Sequence, residues 1–117
     1  MTVDQLARAL DNALKTRAYL RRLEVLDHSA SLIKARLHIG PELFIQVYRN
    51  DRFDTTNFAL IHNAQRIYAR DQLAGLWHRH TLPQPDHHDT SPVGRQVSEL
   101  TDFLDEVETL LASLGLP

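Results

Sequence analysis

Ile33-Lys34-Ala35-Arg36-Leu37-His38-Ile39-Gly40-Pro41-Glu42-Leu43-Phe44-Ile45-Gln46-Val47-Tyr48 is two alternating runs joined by turn residues. Successive side chains of a strand point to opposite faces. Ile33, Ala35, Leu37 and Ile39 therefore share one side, and Lys34, Arg36 and His38 the other. After Gly40-Pro41-Glu42, Leu43, Ile45 and Val47 alternate with Phe44, Gln46 and Tyr48. A three-residue loop opposes Ile39 to Leu43, Leu37 to Ile45 and Ala35 to Val47. A two-residue loop would oppose Leu37 to Phe44 and mix the faces. Because a one-residue slip turns every side chain over, the three-residue register is expected.

What flanks this hairpin sets the fold class. Upstream, Thr2 and Gln5 form a capping-box pattern ahead of Val3, Leu6, Leu10, Ala13 and Leu14 at helical spacing, which predicts a helix over about residues 3–16. A strand is expected over about 20–27. Downstream of a polar loop at 50–56, residues 57–62 and 65–71 read as a second hairpin around Asn63-Ala64. Pairing His62 with Gln65 opposes Leu60 to Ile67 and Phe58 to Ala69 in the core. Arg66, Tyr68 and Arg70 then join Ala59 and Ile61 on the other face. Residues 77–89 read as an irregular loop, because Pro83 and Pro85 interrupt regular structure. Ser98 is a candidate cap for a last helix. Its stripe is Leu100, Phe103, Leu104, Val107, Leu110, Leu111 and Leu114, and Gly115 is its stop. The expectation is one α+β domain over residues 1–117. An antiparallel sheet of four to five strands would be flanked by an N-terminal and a C-terminal helix.

Size and composition exclude several classes. At 117 residues, 43% hydrophobic and 24% charged, the chain suits a single globular core. No apolar run reaches the roughly 20 residues of a membrane span, so no membrane partner is expected. No secretory leader is evident, and without cysteine there is no disulfide or thiolate site; a cytoplasmic protein is expected. The net charge of −2 is unevenly spread. Residues 96–117 carry five acids and no Lys or Arg, whereas residues 1–95 carry thirteen bases against ten acids. The bulk is mildly basic and the tail acidic.

Chemistry concentrates in Trp77-His78-Arg79-His80-Thr81-Leu82-Pro83-Gln84-Pro85-Asp86-His87-His88-Asp89, which holds four of the seven histidines. Histidine titrates near neutrality and also binds metals. Two imidazoles could cleave RNA as acid and base, with Arg79 or a strand arginine holding the developing phosphorane charge. Alternatively His78 and His80, with His87, His88 or Asp86, could ligate zinc, although the spacing is not that of a dedicated zinc motif. The plain alternative is a surface loop anchored by Trp77. Asp71 could orient a histidine or simply end a strand. The sheet face away from the helices would show Lys34, Arg36, His38, Phe44, Gln46, Tyr48, Arg66, Tyr68 and Arg70. Cations there would meet phosphates and rings would stack on bases, as in single-stranded RNA binding.

This order of segments resembles the TumE family, the toxin components of small bacterial toxin–antitoxin modules. The likeness spans about residues 20–114. It rests on the strand Leu43–Tyr48, the hairpin Asn57–Tyr68, the acidic position Asp71, the Trp77-His78-Arg79-His80 stretch with His87-His88, and the closing acidic helix. Many members have Asp-Asn where this chain reads Asp71-Gln72. The resemblance implies a toxin acting on RNA, neutralised by a helix-turn-helix antitoxin that also represses the operon. It carries over positions Tyr48, Asp71, Trp77, His78, His80, His87 and His88. The resulting expectation is a small ribonuclease without a cofactor. Its candidate catalytic residues are His78, His80, His87, His88, Asp71 and Tyr48. Its candidate RNA contacts are Lys34, Arg36, Tyr48, Arg66, Tyr68, Arg70 and Arg79. The expected partners are RNA and the antitoxin, with a homo-oligomer left open. The alternatives are a non-enzymatic protein that tunes a helix-turn-helix repressor, and a metal-binding hydrolase.

Overall fold

A computed structural model describes residues 1–81 and 91–117 in full, together with the backbone of 84–89. The first helix, α1 (Val3–Thr16), begins as the capping box predicts. The Gln5 amide donates to Thr2 Oγ1 at 3.1 Å, and the Thr2 amide donates to Gln5 Oε1 at 2.9 Å. Its buried stripe is Val3, Leu6, Leu10 and Ala13. The last helix, α2 (Leu100–Leu114), starts one residue later than Ser98 would place it. Glu99 is its N-cap, and the Glu99 amide donates to Asp102 Oδ2. Gly115 closes it at φ 68°, a left-handed conformation that glycine adopts without a Cβ penalty.

Between the helices, and among the described residues, seven antiparallel strands form one meander. They are β1 (Arg22–His28), β2 (Leu32–Gly40), β3 (Leu43–Asn50), β4 (Thr55–His62), β5 (Gln65–Leu73), β6 (Leu76–Thr81) and β7 (Gln84–Asp89), each paired with the next. The α+β class and the flanking helices agree with the sequence reading; four to five strands was too few. The extra strands are β6 and β7, drawn from the stretch expected to be irregular. Ala74 (φ 50°) and Gly75 (φ 83°) form a two-residue left-handed turn that returns the chain antiparallel to β5. Pro85 is tolerated because β7 is an edge strand of this sheet.

Register decides which side chains share a face. In the β2–β3 hairpin Leu37 opposes Ile45 and Ala35 opposes Val47, as expected. At the turn, Gly40 rather than Ile39 opposes Leu43, because a bulge falls between His38 and Gly40. The β4–β5 hairpin departs further. His62 opposes Gln65 and Ile61 opposes Arg66, but Leu60 then opposes Tyr68, leaving Ile67 as an extra residue. Phe58 consequently opposes Arg70, not Ala69. This bulge carries Tyr68, Arg70 and Gln72 to the helix side and Ala69 and Asp71 to the open side.

The core forms where α1 and α2 cover the apolar sheet face. Phe58 lies 5.5 Å from Phe103 and 6.2 Å from Trp77 between ring centroids, and Tyr68 stacks on Phe103 at 5.6 Å. Burying each such ring contributes on the order of 1.5–3 kcal/mol. Polar groups on this side are paired. Arg49 reaches Asp51, Asp54, Thr56 and Gln72, while Asp51 accepts the Val3 amide at the start of α1. Tyr19 donates to the Leu104 carbonyl at 2.8 Å, and Arg17 pairs with Asp105, which ties the exit of α1 to α2.

Candidate active site on the open sheet face

The open face is ordered in cross-strand rows. One row runs Lys34, Tyr48, Asn57, Asp71 and His78, directly opposed on β2 through β6. The next runs Arg36, Gln46, Ala59, Ala69 and His80. His38 and Phe44 begin a third, in which Phe44 opposes Ile61 and Ile61 opposes Arg66.

Asp71 is the polar centre of this face. It is only 7% exposed, and its Oδ2 lies 3.2 Å from His80 Nε2. The contact is diagonal, since His80 is opposed by Ala69, whose methyl leaves room beneath the ring. Asp71 Oδ1 is buried and has no hydrogen-bond partner among the described residues. His78 stands directly across from Asp71 and is half-buried, whereas His80 is 2% exposed. Thus His78 meets solvent and His80 lies beneath, held to the carboxylate.

Other expected residues fall into three groups. Tyr48 is half-buried on the open face, three strand spacings, or about 14 Å, from His78. Lys34 and Arg36 also lie on this face, and neither makes an ion pair among the described residues. The Arg36 guanidinium sits 4.6 Å over the Phe44 ring. His38 bonds Glu24 at 2.9 Å, and that bond holds the Glu24 carboxyl below its usual range. Arg66 is half-buried opposite Ile61.

Tyr68, Arg70 and Arg79 do not join this surface, which corrects the sequence reading. Tyr68 is in the core, and burial, reinforced by Glu106, pushes its hydroxyl up to about 12. Arg70 is 3% exposed. Its Nε and Nη2 donate to both Glu106 oxygens at 3.0 and 2.7 Å, and its Nη1 donates to the Val93 carbonyl. Arg79 is directly opposed to Arg70, so its register assigns it to the helix side. The cause in all three cases is the single bulge at Ile67.

His87 and His88 belong to β7, but their side chains, like that of Asp86, lie outside the described residues. Among the described residues no group of three or more His, Cys, Asp or Glu is arranged to hold a metal ion.

Asn57 was not singled out from the sequence. Its half-buried amide sits between Tyr48 and Asp71 and makes no side-chain hydrogen bond among the described residues. The available signal was positional: with β3 and β4 in register, Asn57 must oppose Tyr48. On the helix side a cleft of about 410 Å³ lies between Leu6, Arg49, Gln72, Trp77 and Leu100, away from the histidines. No protein-family model, curated protein or solved structure matches the chain. No helix among the described residues is long and apolar enough to cross a membrane.

Proposed function

We propose that this chain is a ribonuclease-type toxin, TumE-like in its organisation, that cleaves RNA by histidine acid–base chemistry. The observation that carries the reading is the Asp71–His80 contact at 3.2 Å with His78 directly across from Asp71. A carboxylate bonded to one ring nitrogen fixes the imidazole's orientation and tautomer. His78 reaches solvent and takes the role of proton-transfer group at the scissile phosphate; Asp71 orients His80, its neighbour on the same face of β6.

In the reaction, a ribose 2′-oxygen attacks the adjacent phosphorus as its proton passes to an imidazole. The P–O5′ bond breaks, and an imidazolium protonates the departing oxygen. The products are a 2′,3′-cyclic phosphate and a free 5′-hydroxyl. His78 supplies one of these groups, and His87 or His88 is the candidate for the other. Lys34, Arg36 and Arg66 belong to the RNA contacts, and Tyr48, about 14 Å from His78, joins them rather than the reacting atoms. A helix-turn-helix antitoxin, encoded beside this chain, is its proposed partner.

The repressor-tuning alternative draws on the acidic last helix. Two of its acids are engaged within the chain, Asp105 with Arg17 at the surface and Glu106 with the buried Arg70. The test is expression in bacteria of wild type and His78→Ala, with growth and total RNA read together. Wild type slows growth and shortens RNA, and His78→Ala does neither. A wild type without effect on RNA contradicts the reading.

A further inference from the structure

We infer that the row Lys34–Tyr48–Asn57–Asp71–His78 is a track for one single strand of RNA, with a phosphate subsite on β2 remote from the scissile bond. This rests on the ribonuclease reading. The five residues are directly opposed on five neighbouring strands. Strands lie about 4.8 Å apart, so β2 and β6 are separated by roughly 19 Å. Successive phosphates of a stacked strand rise about 3.4 Å, so the track holds about five stacked nucleotides, or fewer extended ones. A dinucleotide cannot bridge it.

The far end has the chemistry of a phosphate site. Lys34 and Arg36 project side by side from β2, and neither is spent on an ion pair among the described residues. Asp27 and Glu24 stand opposite them on β1, but Glu24 is bonded to His38 and Asp27 makes no ion pair with Lys34. Arg36 Nε is buried without a hydrogen-bond partner, and its guanidinium is held in place over Phe44. Arginine fixed against a ring is a ready-made anion donor. Between the two ends, Tyr48 offers a ring for stacking, and the Asn57 amide, which makes no side-chain hydrogen bond among the described residues, offers donors and an acceptor to a base edge. Stacking needs an unpaired base, so the substrate is single-stranded.

The experiment measures KM for two RNAs of the same scissile step, a dinucleoside monophosphate and a single-stranded hexamer, with wild type and Lys34→Ala/Arg36→Ala. Wild type shows a KM for the hexamer at least about tenfold lower, and the hexamer's KM rises steeply with salt. In the double variant that length advantage shrinks about tenfold and the salt slope falls by about one to two. Thermal melts confirm that the variant is folded. Equal KM for both RNAs, or a length advantage that survives the double substitution, overturns the inference alone. A wild type that cuts neither RNA overturns the ribonuclease reading and the inference with it.

Discussion

Asp71 Oδ2 lies 3.2 Å from His80 Nε2 across the β5–β6 ladder, and this contact depends on one extra residue in β5, Ile67. In an unbulged hairpin Asp71 would face α1 and α2, where the core is apolar. The bulge turns it to the open face, and His78 and His80, opposed to Asp71 and Ala69, follow the register of β5 to the same side. Replacing Asp71 with Asn removes the carboxylate but keeps the shape. The expected result is a 10- to 100-fold loss of RNA cleavage, in line with the loss of an orienting partner, with the melting curve little changed; His78→Ala loses about 10²–10⁴-fold. Initial rates beside thermal melts check both. Full activity in Asp71→Asn would remove the carboxylate from the site.

Arg70 carries a different prediction because it is structural. Its guanidinium is almost wholly buried and is neutralised by Glu106, whose side chain keeps 31% exposure. Glu106→Ala strands that cation. The expected loss is about 2–3 kcal/mol, below the full cost of breaking a wholly buried pair because water still reaches the Glu106 side. Urea denaturation measures it, and a loss under about 0.5 kcal/mol would show that the pair contributes little.

The β4–β5 turn holds Asn63 at φ 51° and Ala64 at φ 64°. Alanine in the left-handed region costs roughly 1–2 kcal/mol relative to the right-handed one, a cost that glycine avoids. Ala64→Gly is therefore expected to stabilise the protein by about 1 kcal/mol, less than the full relief because glycine also loosens the unfolded chain. Differential scanning calorimetry gives the answer directly, and a lower Tm would contradict the turn geometry.

Two tyrosines set a limit at alkaline pH. Burial raises the hydroxyls of Tyr19 and Tyr68 to about 12, from an ordinary 10. A raised pKa in the folded state stabilises the fold below pH 10, and that contribution is lost as pH rises from 10 toward 12. Stability should accordingly fall across that window. Absorbance of phenolate should show Tyr19 and Tyr68 still protonated near pH 11 in the folded protein. Substituting Tyr68 with Phe should flatten part of the decline. Ionisation of Tyr19 and Tyr68 near pH 10 without unfolding would contradict their burial.

Periodicity revealed much of this fold. The stripes of α1 and α2 and the alternation of residues 33–48 are strong, uninterrupted signals, and each corresponds to a formed element. Two things were hidden. β6 and β7 were masked by prolines and histidines, whose local preferences are overridden once β5 offers a free edge. The bulge at Ile67 was invisible because alternation assumes one residue per step. Tyr68, Arg70 and Gln72 are large or polar enough to read as outward-facing until α2 supplies Phe103 and Glu106 as partners. The same error concealed Asp71's neighbours. Its position after a strand was legible, but its reach to His80 was not.

The most direct test of the central claim is the chemistry of the cut. Purified protein is incubated with a single-stranded RNA oligomer in excess EDTA, and the fragments are examined by mass spectrometry. A matched oligomer carries a single 2′-deoxy sugar at the scissile position. The account predicts 2′,3′-cyclic phosphate ends, no cutting at the deoxy position, and loss of cutting in His78→Ala. Cleavage that persists at the deoxy position or in His78→Ala, or an RNA left intact by the wild type, would contradict it.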